Sequence, residues 1–176
     1  MSTNASLALA RLLRLASPAL PVGAFGYSQG LETAIQQGWV RDEASLRDWM
    51  LDVLVFSLSR FEAVLLRRVY RAWCASDVVQ VDALNGELIA ARETAELRAE
   101  SQQMGASLRT LFDATGEFDA SHMRTLHAIA PLAFPTAFAF AAAQWSITEC
   151  DAVLGYLFAW AENQAAAAMK SMRLGH

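Results

Sequence analysis

The chain has 176 residues, 55% hydrophobic and 18% charged, with a formal net charge of −4 and a mean hydropathy of +0.24. That length suits one domain with a sizeable core, and the apolar content excludes an intrinsically disordered chain. The negative charge argues against a nucleic-acid binder, which normally presents a basic face.

Apolar residues recur at helical spacing throughout. Leu9, Leu12, Leu13 and Ala16 predict a first helix, with Asn4 or Ser6 as N-cap and Ser17-Pro18 as its stop. Arg11 and Arg14 fall inside this short apolar stretch rather than before it, so it is not read as an export signal. Ser17 to Gly26 holds Pro18, Pro21, Gly23 and Gly26 and is expected to be an extended loop. A short helix from about Tyr27 to Gln37 follows, closed by Gly38. Asp42 is the expected cap of the next helix. Its apolar positions Leu46, Trp49, Met50, Val53, Leu54, Phe61, Val64, Leu65 and Val69 continue to about Trp73.

Asp77 and Asn85 are the next capping candidates, and Val78 to Val81 is the short strand candidate. Gly86 to Phe112 reads as one helix with Gly105 a weak point, and Asp113 to Asp119 as a loop. Ser121 opens a short helix that Pro131 interrupts. Pro135 begins a helix through Gln144, at a position where its missing N–H costs nothing. Thr148 and Asp151 pair as a cap for the last helix, Glu149 to about Met172. The expected class is all-α, a bundle-like array of about seven to ten helices. The stretch nearest to a membrane span, Ala128 to Gln144, is broken by two prolines, so a cytoplasmic protein is expected. The apolar excess has two compatible readings: an Ala- and Leu-rich core, or surface that a partner covers.

Each chemical motif has a plainer alternative. Cys74 and Cys150 form no CxxC pair and are expected to be free, mostly buried thiols. His122 and His127 are five apart, which misses the spacing that puts two ligands on one helix face, so they read as surface histidines. Gly26-Tyr27-Ser28-Gln29-Gly30 matches GxSxG, but a proline-glycine loop precedes it where a nucleophile elbow needs a strand. An α/β serine hydrolase using Ser28 is therefore the rival enzymatic reading, and a generic helical scaffold the rival non-enzymatic one. Glu93, Glu96 and Glu100 are expected to form one acidic stripe, a solvated face or a partner contact. The five tryptophans read as core packing. Neither GxxxxGK[ST] nor GxGxxG occurs, and no cofactor or metal site is expected within the chain.

Four blocks carry a family resemblance. They are SPALPVGAFGYSQGLE at Ser17–Glu32 (followed by Gly38–Val40), ARETAELRAES at Ala91–Ser101, FPTAFAFAAA at Phe134–Ala143 and WAENQAAAAMKSMRLGH at Trp160–His176. In this order they resemble the UreF urease accessory proteins, and together they span essentially the whole chain. The resemblance implies an all-α, non-catalytic chaperone that acts as a homodimer. Such a protein bridges UreD (also called UreH) to the GTPase UreG and helps transfer nickel into apo-urease.

The partner-binding residues expected on this basis are Pro18, Pro21, Gly23, Phe25, Tyr27, Ser28, Gly30 and Glu32, with Glu93, Glu96, Glu162 and Lys170. Phe25, Tyr27 and Leu31 would supply apolar anchors, Ser28 would cap the helix start, and Glu32 would meet a basic group of UreG. The pattern departs from the family twice. Family members usually continue past this point with a segment that contributes to UreD binding, and the family's LGQ reads Leu174-Gly175-His176 here. Residues 1–176 are accordingly expected to form a single UreF-like helical domain without that segment, and UreD binding is the function these departures touch.

Overall fold

The computed structural model describes residues 3–23 and 28–172. Among them are nine α-helices: α1 (Thr3–Leu15), α2 (Leu31–Gln36), α3 (Glu43–Asp52), α4 (Ala63–Cys74), α5 (Val78–Ala90), α6 (Ala95–Thr115), α7 (Ala120–Ala128), α8 (Phe134–Gln144) and α9 (Glu149–Ser171). A π-helical segment, Val53–Glu62, joins α3 to α4 without a break. The fold is all-α, as the periodicity predicts.

Local chemistry accounts for most boundaries. Asp42 and Ser45 cap α3 reciprocally, each side chain accepting from the other's backbone N–H. Asp77 accepts from the Gln80 N–H and Thr148 from the Asp151 N–H, as expected. Pro135 lies in the first turn of α8. Other expectations are corrected. Asn4 and Ser6 lie inside α1, so neither caps it. Val78–Val81 opens α5 and is not a strand, because the Asp77 cap commits it to a helix. The helix expected over Gly86–Phe112 is interrupted after Ala90, and Thr94 caps a new start by accepting from the Leu97 N–H at 3.2 Å.

The centre is α8. Every residue from Pro135 to Ala142 is buried, which is why its sequence is apolar all round and not amphipathic. It packs mainly on α4 and α6. Trp73, Phe112, Phe118, Phe140 and Trp145 interlock around it, with Trp73 and Phe140 edge-to-face at 5.1 Å. Gly105 is a close-approach point and not a weak one: a Cβ there would stand 2.2 Å from the Leu132 carbonyl oxygen.

Asn85 is a core residue and no cap. Its amide donates to the Pro131 carbonyl at 2.8 Å and accepts from the Ala133 N–H at 2.9 Å, holding the turn that leads into α8. A second, smaller apolar cluster joins Leu31 and Ala34 of α2, Val40 and Leu46 to Ala167, Ala168 and Met172 at the end of α9. Long α9 therefore serves both clusters.

The apolar excess proves to be both core and surface. Phe61 and Val64, expected on the buried stripe, are nearly half exposed, and Leu51, Val55 and Phe56 of the same continuous helix are exposed with them. Trp39 is 68% exposed and is not core. Both cysteines are free but exposed, contrary to the expected burial. No described helix is long and apolar enough to cross a membrane.

Candidate functional site

The four sequence blocks converge. Gln29 of the first block donates from Nε2 to Glu100 Oε1 of the second at 2.7 Å. Its Oε1 accepts from Trp160 Nε1 of the fourth at 2.8 Å. The second and third blocks meet where the Phe134 N–H donates to Ser101 Oγ at 3.3 Å. Residues 71 and 131 positions apart are thus held on one side chain.

Beneath Gln29 lies a buried ionic cluster. Arg92, in the break between α5 and α6, pairs with Glu62 at 2.7 Å, and the Tyr156 hydroxyl donates to the same Glu62 oxygen. Glu62 is 6% exposed and sits at the last position of the π-helical segment. In that segment hydrogen bonds run five residues back instead of four. Burial alone would favour the neutral form of Arg92, but Glu62, Tyr156 and Glu100 outweigh it and hold the guanidinium firmly protonated. Burial pushes the Glu100 carboxyl up, against the pull of the Gln29 hydrogen bond and of Arg92. Burial beside Glu62 also raises the Tyr156 phenol well above its ordinary value.

Two cavities flank this cluster and share Gln29, Arg92, Leu97 and Trp160 in their walls. The first is mostly apolar and reaches Pro18, Leu20 and Val22. The second contains Trp49, Phe61, Glu93 and the fully buried Gln164.

The expected contact residues fall around this centre in different ways. Pro18, Pro21, Gly23, Gly30 and Glu32 are exposed, and Gly23 and Gly30 take positive φ, 80° and 91°, as turn positions. Ser28 is half-buried and its Oγ accepts from the Glu32 N–H at 3.4 Å, close to the expected capping role, although Gly30 occupies the cap position of α2. With α2 following directly and no strand among the described residues, Ser28 has no nucleophile elbow. Phe25, Tyr27 and Gly26 lie outside the described residues, as does His176.

Glu93, Glu96 and Glu100 form no stripe. Glu93 lies in the link before α6, Glu96 is exposed in the first turn, and Glu100 is buried against Gln29. Glu162 and Lys170 are exposed on α9. Sequence reasoning missed Glu62, Arg92, Tyr156 and Gln29. The signal available for Arg92, Glu100 and Gln29 was their presence inside the resemblance blocks. No described group of three or more His, Cys, Asp or Glu residues is arranged to hold a metal ion.

A UreF family model matches residues 40–176. The chain is 47% identical over 170 residues to the urease accessory protein UreF of Dechloromonas aromatica (strain RCB), covering 96% of this chain and 75% of that relative. It is 50% identical over 181 residues to the protein of that name from Azoarcus sp. (strain BH72), covering 99% and 77%. With the counterpart from Janthinobacterium sp. (strain Marseille) the identity is 46% over 168 residues, covering 96% and 74%. The family model begins beyond Ser17–Glu32, whereas the Azoarcus alignment takes that block in. With the model matching most of the chain, and relatives near half identity along nearly all of it, this chain belongs to the UreF family of urease accessory proteins.

Proposed function

We propose that this chain is a non-catalytic, cytoplasmic chaperone of urease maturation, folded as a single domain. In this reading it binds UreD (UreH) and the GTPase UreG, acts as a homodimer, and brings them to apo-urease for delivery of nickel, which is cargo and not a resident cofactor. The observation that carries the reading is the anchoring of the 17–32 block. Its described prolines, glycines and Glu32 are exposed, while Gln29 fastens it to Glu100 of the second family block and Trp160 of the fourth, beside the buried Glu62–Arg92 pair. A surface fixed in advance loses less conformational freedom when a partner docks.

The proposed contact residues are Pro18, Pro21, Gly23, Phe25, Tyr27, Ser28, Gly30 and Glu32, with Glu93, Glu96, Glu162 and Lys170 as charged neighbours. The exposed row Leu51, Val55, Phe56, Phe61 and Val64 is apolar surface of the kind that assembly covers.

The test is co-purification of the tagged full chain with UreD and UreG. Both are expected to be captured. Glu32→Ala and Tyr27→Ala should each weaken UreG capture by about tenfold with the helical circular dichroism unchanged, the loss typical of a contact residue at an interface centre. A folded wild-type chain that captures neither protein would overturn the reading.

A further inference from the structure

Gln29 is not among the contact residues proposed above, yet its side chain ties the 17–32 block to the interior. We propose that Gln29 is a positioning residue for UreG capture: its carboxamide, bonded at once to a buried carboxylate and a buried indole, sets the orientation in which the block meets its partner. This rests on the reading that the block contacts UreG.

Three observations carry the inference. The backbone at Gln29 takes φ 51°, a left-handed conformation that residues with a side chain rarely adopt and that persists where surrounding interactions hold it. Next, both ends of the amide are used. Nε2 donates to Glu100 at 2.7 Å while Oε1 accepts from Trp160 at 2.8 Å, so the amide has one orientation that satisfies both partners. Finally, those partners are themselves fixed. Glu100 and Trp160 are buried on α6 and α9, and the side chain of Gln29 forms part of the wall shared by two cavities. A shift of Gln29 would therefore move the residues on either side of it, Ser28 and Gly30, relative to the whole helical array.

The chemistry supplies a polarity test. A glutamate at position 29 still accepts from Trp160 but sets a second carboxylate against Glu100. The charged and titratable groups facing Glu100 are Arg92 from the α5–α6 link, Glu62 from the π-helical segment and, through Glu62, Tyr156 from α9. Arg92 is already paired with Glu62, which leaves the new repulsion poorly compensated. A shared proton relieves it at low pH, as in other close carboxyl pairs. Reversing the partner as well, Gln29→Glu with Glu100→Gln, restores one donor and one acceptor along the line.

The experiment measures UreG affinity of the full-length chain at pH 6 and pH 8, together with the Trp160 indole N–H resonance. Gln29→Glu should bind UreG at least about tenfold more weakly at pH 8, with a smaller loss at pH 6. The double variant should return to within about threefold of wild type at both pH values, and the indole resonance should move in the single variant and return in the double. Affinity within about twofold of wild type for Gln29→Glu, with the indole resonance displaced, would overturn the inference, because the bond would be broken without consequence. A folded double variant that fails to recover would overturn it as well. If the single variant loses its helical signal, the double variant decides alone. Failure of wild type to capture UreG would instead remove the underlying reading and this inference with it.

Discussion

At the residue scale, two carboxamides and one ion pair organise the protein. Asn85 and Gln29 each donate and accept at once, which no carboxylate or aliphatic side chain of similar shape can do. The Glu62–Arg92 pair is the sharper energetic feature, because burial makes an unpaired partner costly. Glu62→Ala should lower unfolding stability by about 3–5 kcal/mol, since it leaves the guanidinium buried and the Tyr156 hydroxyl without its acceptor. The apolar double replacement Glu62→Leu with Arg92→Met should recover much of that loss. Urea unfolding of the two variants checks this, and equal destabilisation of both would refute the ion-pair account.

At the element scale, helix ends and close approaches set the stability. Gly105→Ala places a methyl against the Leu132 backbone, and neither α6 nor the turn before α8 can yield without moving Asn85 or Phe134. We expect a loss of about 1–3 kcal/mol, read as a lowered Tm, where helix propensity alone predicts a gain. Asp119 caps α7 by accepting from the Ser121 and His122 N–H groups. Hydrogen bonding to the Ser121 hydroxyl, with these bonds and His122, lowers its carboxyl to about 2.

A depressed folded-state value means that the cap contributes above the ordinary Asp range near 4 and fades as pH falls toward 2. Asp119→Ala should therefore lower Tm at pH 6, and the gap to wild type should close as pH is lowered from about 4 to about 2. A gap independent of pH would show that the carboxylate is not the stabilising form. Caps such as Asp42, Asp77 and Thr148 were legible in the sequence because both partners lie within three residues. The break at Ala91–Thr94 was not, because ARET has ordinary helical composition and Arg92 is drawn inward by Glu62, 30 positions away.

At the scale of the whole molecule, two apolar clusters share α9, and the 17–32 block ends in the smaller one. Leu31→Ala removes a fully buried side chain from that cluster. It should speed amide exchange in α2 and the last turns of α9 far more than in α8, with a local loss of about 2–5 kcal/mol. Uniform acceleration through α8 would show that the clusters open together.

Sequence alone determined the helical class, the caps Asp42, Asp77 and Thr148, the Pro135 start and the four family blocks. These depend on periodicity and on bonds spanning a few residues. Tertiary structure decided what the blocks do together. It buried Glu100 and Asn85, exposed Trp39, Phe61 and both cysteines, and seated Gln29 between two helices. The physical reason is distance along the chain. The partners that give Asn85, Glu100 and Gln29 their roles are 46 to 131 residues away, and a helical pattern names a face without naming what that face meets.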